Sequence, residues 1–507
     1  MSGMAGVSVA SPRDAELPSD AKASRAGLAA LVRERAWLLA VWVAMVAWTI
    51  VLGFIVRGSY EGFRLARFDL GNMVQAVWST AHGHPLEQTN AATGEQMVRL
   101  GSHVDPILVL FTPFWLAWPS PLVLAFVQIA AVSLGALPVF WLARRHLGSE
   151  KLACLLALAY LAYPWLSWTA VDSMHPITLA IPFLLFGLWF LDHDRLRPFV
   201  LCAVLAMLSR ALLGPTVAAL GIWYAVARGK KKQGLSIAGF GLAWFLIGNF
   251  VLKPIFSGGP SDWVIYGTLG GSPGRMVATV FTHPDAVVSL LLRSNVILYL
   301  ALLTLPVAGL CFLSPGIAAV AVPQLLVNGL ADGAATTDPR QHYIAAIVPF
   351  LFAGMIFGLA RLPSERRGTP VLLALSLSVV LSAVFGPWPL APGRTPLWYQ
   401  TTVPARRVVA LEAATSLVPP GAAVASTNKV GSHLSARRYV YTLPVIGRAT
   451  WVVVDTSDPW LVDPTRPFLV RRPKALRLLT ARLRRSAGWA NVFDEEGVLV
   501  FRRTSAA

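Results

Sequence analysis

Runs of apolar residues long enough to cross a bilayer recur along this chain, and they decide most of what it can fold into. The first, 36–56, holds about 21 residues, which at 1.5 Å per residue spans a hydrocarbon core of about 30 Å. Others follow at about 121–142, 152–170, 177–191, 234–256, 292–313, 316–330, 343–360 and 370–388, each bounded by charge, Pro or Gly. Only 13% of the residues are charged, about half the share of a soluble domain, which argues against a soluble enzyme. The net charge of +18 then has three readings: nucleic acid, an anionic membrane surface, or anchoring of cytoplasmic loops. No zinc-finger spacing, RNA-binding signature or long basic tail accompanies it, so no nucleic acid is expected as a partner. Cys154, Cys202 and Cys311 fall inside apolar runs, with neither a disulfide framework nor metal-ligand spacing.

Basic clusters set the expected sidedness. Arg144, Arg145 and Lys151, then Arg195 and Arg197, then Arg228 with Lys230, Lys231 and Lys232, then Arg361, Arg366 and Arg367 mark short loops expected in the cytoplasm. Both flanks of 199–227 carry such signals, so that stretch must cross an even number of times. It is expected to split near Ser209 to Pro215 into two short helices or a re-entrant hairpin. The result is an α-helical polytopic membrane protein of about 11 crossings, set in the bacterial cytoplasmic membrane with its amino terminus inside and its carboxyl terminus outside.

Residues 1–35, rich in Ala, Ser, Gly and Arg, read as a cytoplasmic disordered tail, and 36–389 as the multi-spanning domain. Two longer outer segments stand out. The first, 57–120, holds a candidate helix from Asp69 to Thr80 and an apolar stretch, Pro106 to Trp118, that is short for a span. The second, 257–291, is rich in Gly and aromatic residues and reads as a loop. After 390 the composition changes: Trp451-Val-Val-Val-Asp455 reads as a strand and 471–485 as an amphipathic basic helix, giving a small extracytoplasmic α/β domain over 390–507. Its 17 Lys and Arg against 7 Asp and Glu suit anionic headgroups or an acidic envelope polymer. A solvated amphipathic helix accounts for the same charge.

Within these segments a few ionisable residues carry candidate chemistry. Arg67-Phe68-Asp69-Leu70-Gly71-Asn72 puts a carboxylate just outside the membrane at the start of an amphipathic helix. A helix cap worth about 1 kcal/mol accounts for an Asp there, and Asp105 before Pro106, two residues after His103, reads equally as a turn opener. At a lipid–water boundary the same carboxylates can take the proton of an acceptor hydroxyl. Asp172, His175 and Pro176 end the third crossing on that side, where a packed boundary histidine and a ligand are both open. Arg210, at the tip of the split stretch, is a functional candidate by default, because a charge at membrane depth needs a partner or an aqueous cavity. Phosphate is one such partner, and Asp69, Asp105 or Asp172 another. Arg293 reads as a snorkelling residue or a phosphate ligand. Arg340-Gln341-His342-Tyr343 reads as an interfacial anchor or as donors to a phosphate or sugar hydroxyl. No Walker loop, HExxH, GxSxG or dinucleotide fingerprint is credible, which argues against ATP-driven transport and protease chemistry.

Taken together, Arg67-Phe68-Asp69-Leu70-Gly71 with Gln75 and Trp78, Ser102-His103 and Pro106, Gln128, His175-Pro176, Gln341-His342-Tyr343, and the later Asn428, Ser432-His433-Leu434-Ser435, Arg437 and Tyr441 resemble a family of bacterial membrane proteins. That family is called domain of unknown function 2079, and the resemblance covers about 60–503. It is in turn similar to the C-type glycosyltransferases, multi-spanning proteins that take a sugar from a polyprenyl-phosphate carrier and use an acidic residue in the first outer loop. The resemblance implies Asp69 as general base. It leaves Arg210, Arg340, His342, Tyr343, His175, His103, Asp105 and Arg293 as the set from which donor-phosphate or substrate ligands come.

The implied partners are a polyprenyl-phosphate sugar donor, an envelope glycan or lipid acceptor, and membrane lipids. A divalent metal stays open, with no ligands assigned and no other cofactor implied. Relatives tend to carry His-Pro-Glu where this chain has His175-Pro176-Ile177, and Lys-Glu-Asp or similar where it has Ser209-Arg210-Ala211, which implies altered specificity or lost activity. The rival expectations are a lipid-linked saccharide transporter or flippase, and an inactive envelope assembly protein.

Overall fold

The structure, a computed structural model, describes residues 19–257, 262–388, 404–463 and 469–504. Among them, four helices are long and apolar enough to cross a membrane: Arg35–Glu61, Pro121–Leu147, Lys231–Phe256 and Ser364–Phe385. Two pairs, Glu150–Leu161 with Pro164–Val171 and Pro284–Leu291 with Ser294–Val307, pass as single spans bent by 48° and 50°. Pro164 explains the first bend, because it has no N–H to donate and forces Tyr163 before it into extended backbone. Pro176–Asp192, Leu196–Ser209, Ala211–Ala227, Pro315–Gly329 and Val348–Leu359 are shorter apolar helices. Long helices thus number four to six beside the 11 crossings expected, since several of the apolar runs fold as helices of 10–17 residues, shorter than the roughly 20 that a straight span needs.

Two expected segments differ in detail. Residues 19–35, expected as part of a tail, are helical backbone continuous with the first span, while 1–18 lie outside the described residues. The segment read as a loop from 257 is mostly helical. Its Gly-rich start, 258–261, lies outside the described residues, and Asp262–Leu269, Pro273–Thr282 and Pro284–Leu291 follow as short helices. Pro273 and Pro284 each open a helix, where a missing N–H costs nothing.

The stretch 199–227 divides within the expected interval, Ser209 to Pro215. Leu196–Ser209 ends at Arg210, whose backbone is extended, and Gly214–Ala227 returns. The returning helix packs on Lys231–Ile247 through facing glycines. A Cβ on Gly221 would lie 2.6 Å from the Gly234 carbonyl oxygen, and one on Gly241 2.5 Å from that of Gly214, so only glycine permits this approach. Val226, Leu235, Ile255 and Leu372 point outward from the bundle, an apolar exterior that lipid covers without penalty.

The basic clusters meet at one end of the bundle. Buried Asp192 pairs with Arg145 (2.9 Å), His146 (3.0 Å) and Arg228, and Arg367 donates to the Leu147 carbonyl (3.0 Å). Arg210 turns at the opposite end, where the sheet domain also sits.

That domain is a five-stranded sheet in the order β4-β3-β5-β9-β8. In chain order the strands of the protein are β1 (Glu87–Thr89), β2 (Gln96–Val98), β3 (Val424–Ser426), β4 (Val440–Thr442), β5 (Trp451–Asp455), β6 (Trp460–Val462), β7 (Leu469–Arg471), β8 (Trp489–Glu495) and β9 (Val498–Arg503). β4, β3 and β5 run parallel, and β9 and β8 add antiparallel pairs. Side chains alternate across the sheet. Val424, Val440 and Val453 pack under the helix Ala405–Ser416, and Ala425, Tyr441 and Val452 under Pro473–Arg485. Cover on both faces is what a parallel sheet needs.

Candidate active site

Between the first span and the helix Asn72–Ala81 the chain makes a π-helical turn, Arg67–Gly71. Arg67 anchors it. The guanidinium is 0% exposed and donates from Nη1 to Thr442 Oγ1 (2.9 Å) and from Nη2 to the carbonyls of Val440 (2.7 Å) and Thr89 (3.1 Å). Its stem runs past Gly71 and Gly431, where a Cβ would come within 2.9 and 2.7 Å of its carbons. Asn428 Oδ1 accepts from the Phe68 N–H (3.0 Å), and Ser432 Oγ donates to the Leu65 carbonyl (2.7 Å). His433 stacks on Tyr60 and Phe63, and Gln75 donates to the Arg437 and Arg438 carbonyls.

The tail motifs therefore fasten the sheet domain to the turn that carries Asp69. They sit at the carboxyl ends of β3 and β4, the edge at which parallel sheets form a binding crevice. Here the chain's own residues 65–71 fill it.

Asp69 caps no helix: neither the turn nor Asn72–Ala81 has a side-chain cap. It lines a cavity of about 330 Å³ together with His103, His175, Arg210, His342 and Tyr343, so six of the expected residues share one space. Lys253, Asn249, Asn328 and, from the sheet domain, Val462 complete the polar and apolar wall. The side chains of Asp69 and Arg210 make no hydrogen bond or ion pair with another described residue. Burial pushes the Asp69 carboxyl up to about 6, against the pull of the Arg99 guanidinium.

A second set of groups comes from the end of the bent span. Gln128, fully buried, donates to the Ala170 (3.2 Å) and Ser173 (2.7 Å) carbonyls and accepts from the His175 N–H (2.8 Å) and Thr178 Oγ1 (2.9 Å). These bonds hold Ser173 at φ +127°, a strained conformation for a residue with a side chain. The loop so fixed presents Asp172 and His175. The His175 ring stacks on His342 with centroids 3.7 Å apart, and Asp172, His175 and His342 offer ligand atoms within 4.8 Å of one another. His342 Nδ1 is buried without a hydrogen-bond partner, a loss of about 1–3 kcal/mol.

Burial, followed by the charges of Asp69 and Asp338, lifts Asp172 well above the usual carboxylate range, with Arg340 opposing. Burial, with Arg210, Arg99 and His103 behind it, lowers His175 to about 3. His342 is held well below its ordinary value by the same burial, aided by His175, Arg210 and His103. Both imidazoles are thus neutral at pH 7.

Three expected residues lie elsewhere. Asp105 is fully buried in a two-pronged pair with Arg99 (2.9 and 2.7 Å), so its oxygens are committed to one partner. Arg340 pairs with Asp338 (2.6 Å) and is absent from the cavity wall. Arg293 donates to the carbonyls of Leu290, Gly329, Ala331 and Asp332, clamping two helix ends to a loop. Of the positions where this chain departs from its resemblance, Ile177 faces the cavity, whereas Ser209 and Ala211 are buried in packing. Arg67, Arg99, Gln128 and Lys253 escaped the sequence reading as parts of this site. Arg67 and Gln128 were visible only as members of motifs, and Lys253 carried no motif at all.

The fold is similar to that in the crystal structure of ArnT from Cupriavidus metallidurans bound to undecaprenyl phosphate. The TM-score is 0.56 and the identity 12%, and the match covers 93% of this chain and 99% of that one. At that identity the likeness is one of fold, and it agrees with the C-type glycosyltransferase resemblance drawn from the motifs. No curated protein matches the sequence. The model of the predicted membrane protein family DUF2079 matches residues 60–500, and the chain belongs to that family.

Proposed function

We propose that the protein transfers a glycosyl group from a polyprenyl-phosphate donor to a cell-envelope acceptor on the outer face of the cytoplasmic membrane. The observation that carries this reading is one cavity, at the end of the bundle away from the basic loops, lined by Asp69, Arg210 and Lys253. Positive loops favour the cytoplasmic side, which would turn the cavity outward. The likeness to a protein crystallised with undecaprenyl phosphate supports a polyprenyl-phosphate lipid as the ligand.

In the reaction, the acceptor hydroxyl oxygen attacks the anomeric carbon as its proton passes to the Asp69 carboxylate. The bond from that carbon to the phosphate oxygen breaks, the phosphate leaves with the electron pair, and the anomeric configuration inverts. A carboxyl poised near 6 is ionised at pH 7 yet basic enough to serve. The leaving phosphate is already anionic and needs positive charge more than a proton, which Arg210 and Lys253 supply. His103 and Tyr343 stand in the same wall to orient donor or acceptor.

The test is transfer by the purified chain in detergent, offered a panel of radiolabelled polyprenyl-phosphate sugars with envelope lipid extract as acceptor, in wild type and Asp69→Asn. Transfer that vanishes in the variant supports the reading. Saturable binding of one carrier without turnover in either protein would overturn it in favour of a carrier-binding transporter or an inactive relative.

A further inference from the structure

One cluster beside the cavity, with His175 and His342 in its wall, plays no part in the reaction above. We propose that Asp172, His175 and His342 form a binding site for one divalent transition-metal ion of the zinc class, with an open coordination position turned to the cavity. The inference goes beyond the glycosyl-transfer reading and does not rest on it.

The donor set is the first argument. Two imidazoles and a carboxylate are a set that zinc takes when it keeps a fourth position open, whereas Mg²⁺ and Ca²⁺ select oxygen ligands. The geometry is the second. The three ligand atoms lie within 4.8 Å of one another, and tetrahedral bonds of about 2.0–2.1 Å would set them about 3.3 Å apart.

The third argument is what these groups lack. His342 is 9% exposed and its Nδ1 has no partner, and the Asp172 carboxylate makes no hydrogen bond to another described residue. Two rings stacked at 3.7 Å leave nitrogens that neither ring can satisfy for the other. The surroundings are the fourth. Gln128 fixes the loop bearing Asp172 and His175 through four close bonds and a strained Ser173, the kind of support that orients metal ligands. The Asp69 and Asp338 carboxylates lie within electrostatic reach of Asp172 and favour a cation. Arg340, which opposes them, is already held by Asp338. Arg210 acts on both imidazoles and remains the competing charge.

The experiment uses the full chain in detergent with a tag free of histidine, stripped by chelator, dialysed, and titrated with Zn²⁺ and separately with Co²⁺. One equivalent per chain is expected, with the Co²⁺ visible spectrum of a four-coordinate site. Asp172→Asn, His175→Gln and His342→Gln should each weaken binding by more than the roughly 10–100-fold that loss of an outer partner causes. His342→Cys guards against variants that merely unfold, because it keeps a ligand and should add a near-ultraviolet thiolate-to-cobalt band that wild type lacks. No retained metal in the folded wild-type chain overturns the proposal. So does binding that all three removals leave unchanged, or cobalt bound to His342→Cys without the thiolate band.

Discussion

The crevice of the sheet domain and the cavity beside it gather the same kinds of side chain and treat them in opposite ways. In the crevice, the Arg67 guanidinium is wrapped by Thr442, Val440 and Thr89 oxygens, with glycines at 71 and 431 leaving room for its stem. Hardly any space is left for a ligand, although Arg67 Nε and Ser426 Oγ stay without a partner. In the cavity, Asp69 and Arg210 have no hydrogen-bond or ion-pair partner among the described residues and His342 Nδ1 is orphaned, and the Asp172 carboxylate beside the two histidines is likewise unpaired among them. A buried polar group left unpaired is costly, so a fold that engages both prongs of the Arg67 fork and leaves whole charged groups open next door has reserved the second cluster for something else. Neither burial, charge nor a single orphaned atom marks a site, since Arg67 Nε and Ser426 Oγ are orphaned in the crevice as well; whole unpaired groups facing one open space do.

The sharpest way to test this contrast is at Asp69. Asp69→Asn keeps the shape and removes the base, so transfer should fall by about 10²–10⁴-fold with thermal unfolding unchanged. Arg67 should behave in the reverse sense. Arg67→Met strands three buried acceptors, each worth about 1–3 kcal/mol when unpaired, and should lower the stability of the docked domain by about 3 kcal/mol in thermal unfolding. Arg67→Lys should not restore it, because a single ammonium cannot replace the two-pronged fork. Unchanged stability in both variants would erase the distinction between the two regions.

How much of this was legible in the sequence follows from how far each signal reaches. Apolar runs and basic clusters are local properties, and they located apolar helices, four to six of them long enough to span, the break at Arg210 and the shared basic end around Asp192. The sheet domain was legible too, since Trp451–Asp455 alternates over its two covered faces. Composition misled at 257–291, where glycine and aromatic content resembled a loop while Pro273 and Pro284 were opening helices. Six of the nine expected site residues share the cavity, because they fall at helix ends and loops that the fold gathers at one end of the bundle. Pairing is not readable. Nothing local says that Arg99 takes Asp105, or that Arg340 takes Asp338, because side-chain partners are chosen in three dimensions. The same blindness hid Arg67, whose oxygens lie more than 370 residues away in Val440 and Thr442.

Smaller effects sharpen the contrast from the cavity side. Arg210→Ala removes a charge that no described residue shares, so folding stability should change by no more than about 0.5 kcal/mol. Binding of undecaprenyl phosphate in detergent should weaken by about tenfold, the loss of one charge-assisted contact worth about 1.4 kcal/mol. The pH profile gives a comparable factor without mutation. Asp69 must be ionised to accept a proton, and its carboxyl titrates near 6, so transfer should rise with pH through about 6 and fall about tenfold between pH 7 and 5. A rate flat across that range would remove Asp69 from the role of base.

The smallest effect is expected at Arg340, and its smallness is informative. The side chain is 56% exposed, donates to Asp338 at 2.6 Å, and takes no place in the cavity wall. An exposed ion pair of this kind contributes about 0–1 kcal/mol, and Asp338 left alone would still be solvated. Arg340→Ala should therefore leave carrier binding and thermal unfolding within about 0.5 kcal/mol of wild type. It does remove a positive charge that opposes Asp69 and Asp338 at Asp172. If Asp172 ligates a cation, the variant should bind Zn²⁺ slightly more tightly while carrier binding stays constant. A large loss of carrier binding in Arg340→Ala would instead mean that the guanidinium leaves Asp338 for the phosphate, and the division between paired and reserved charges would have to be redrawn to include it.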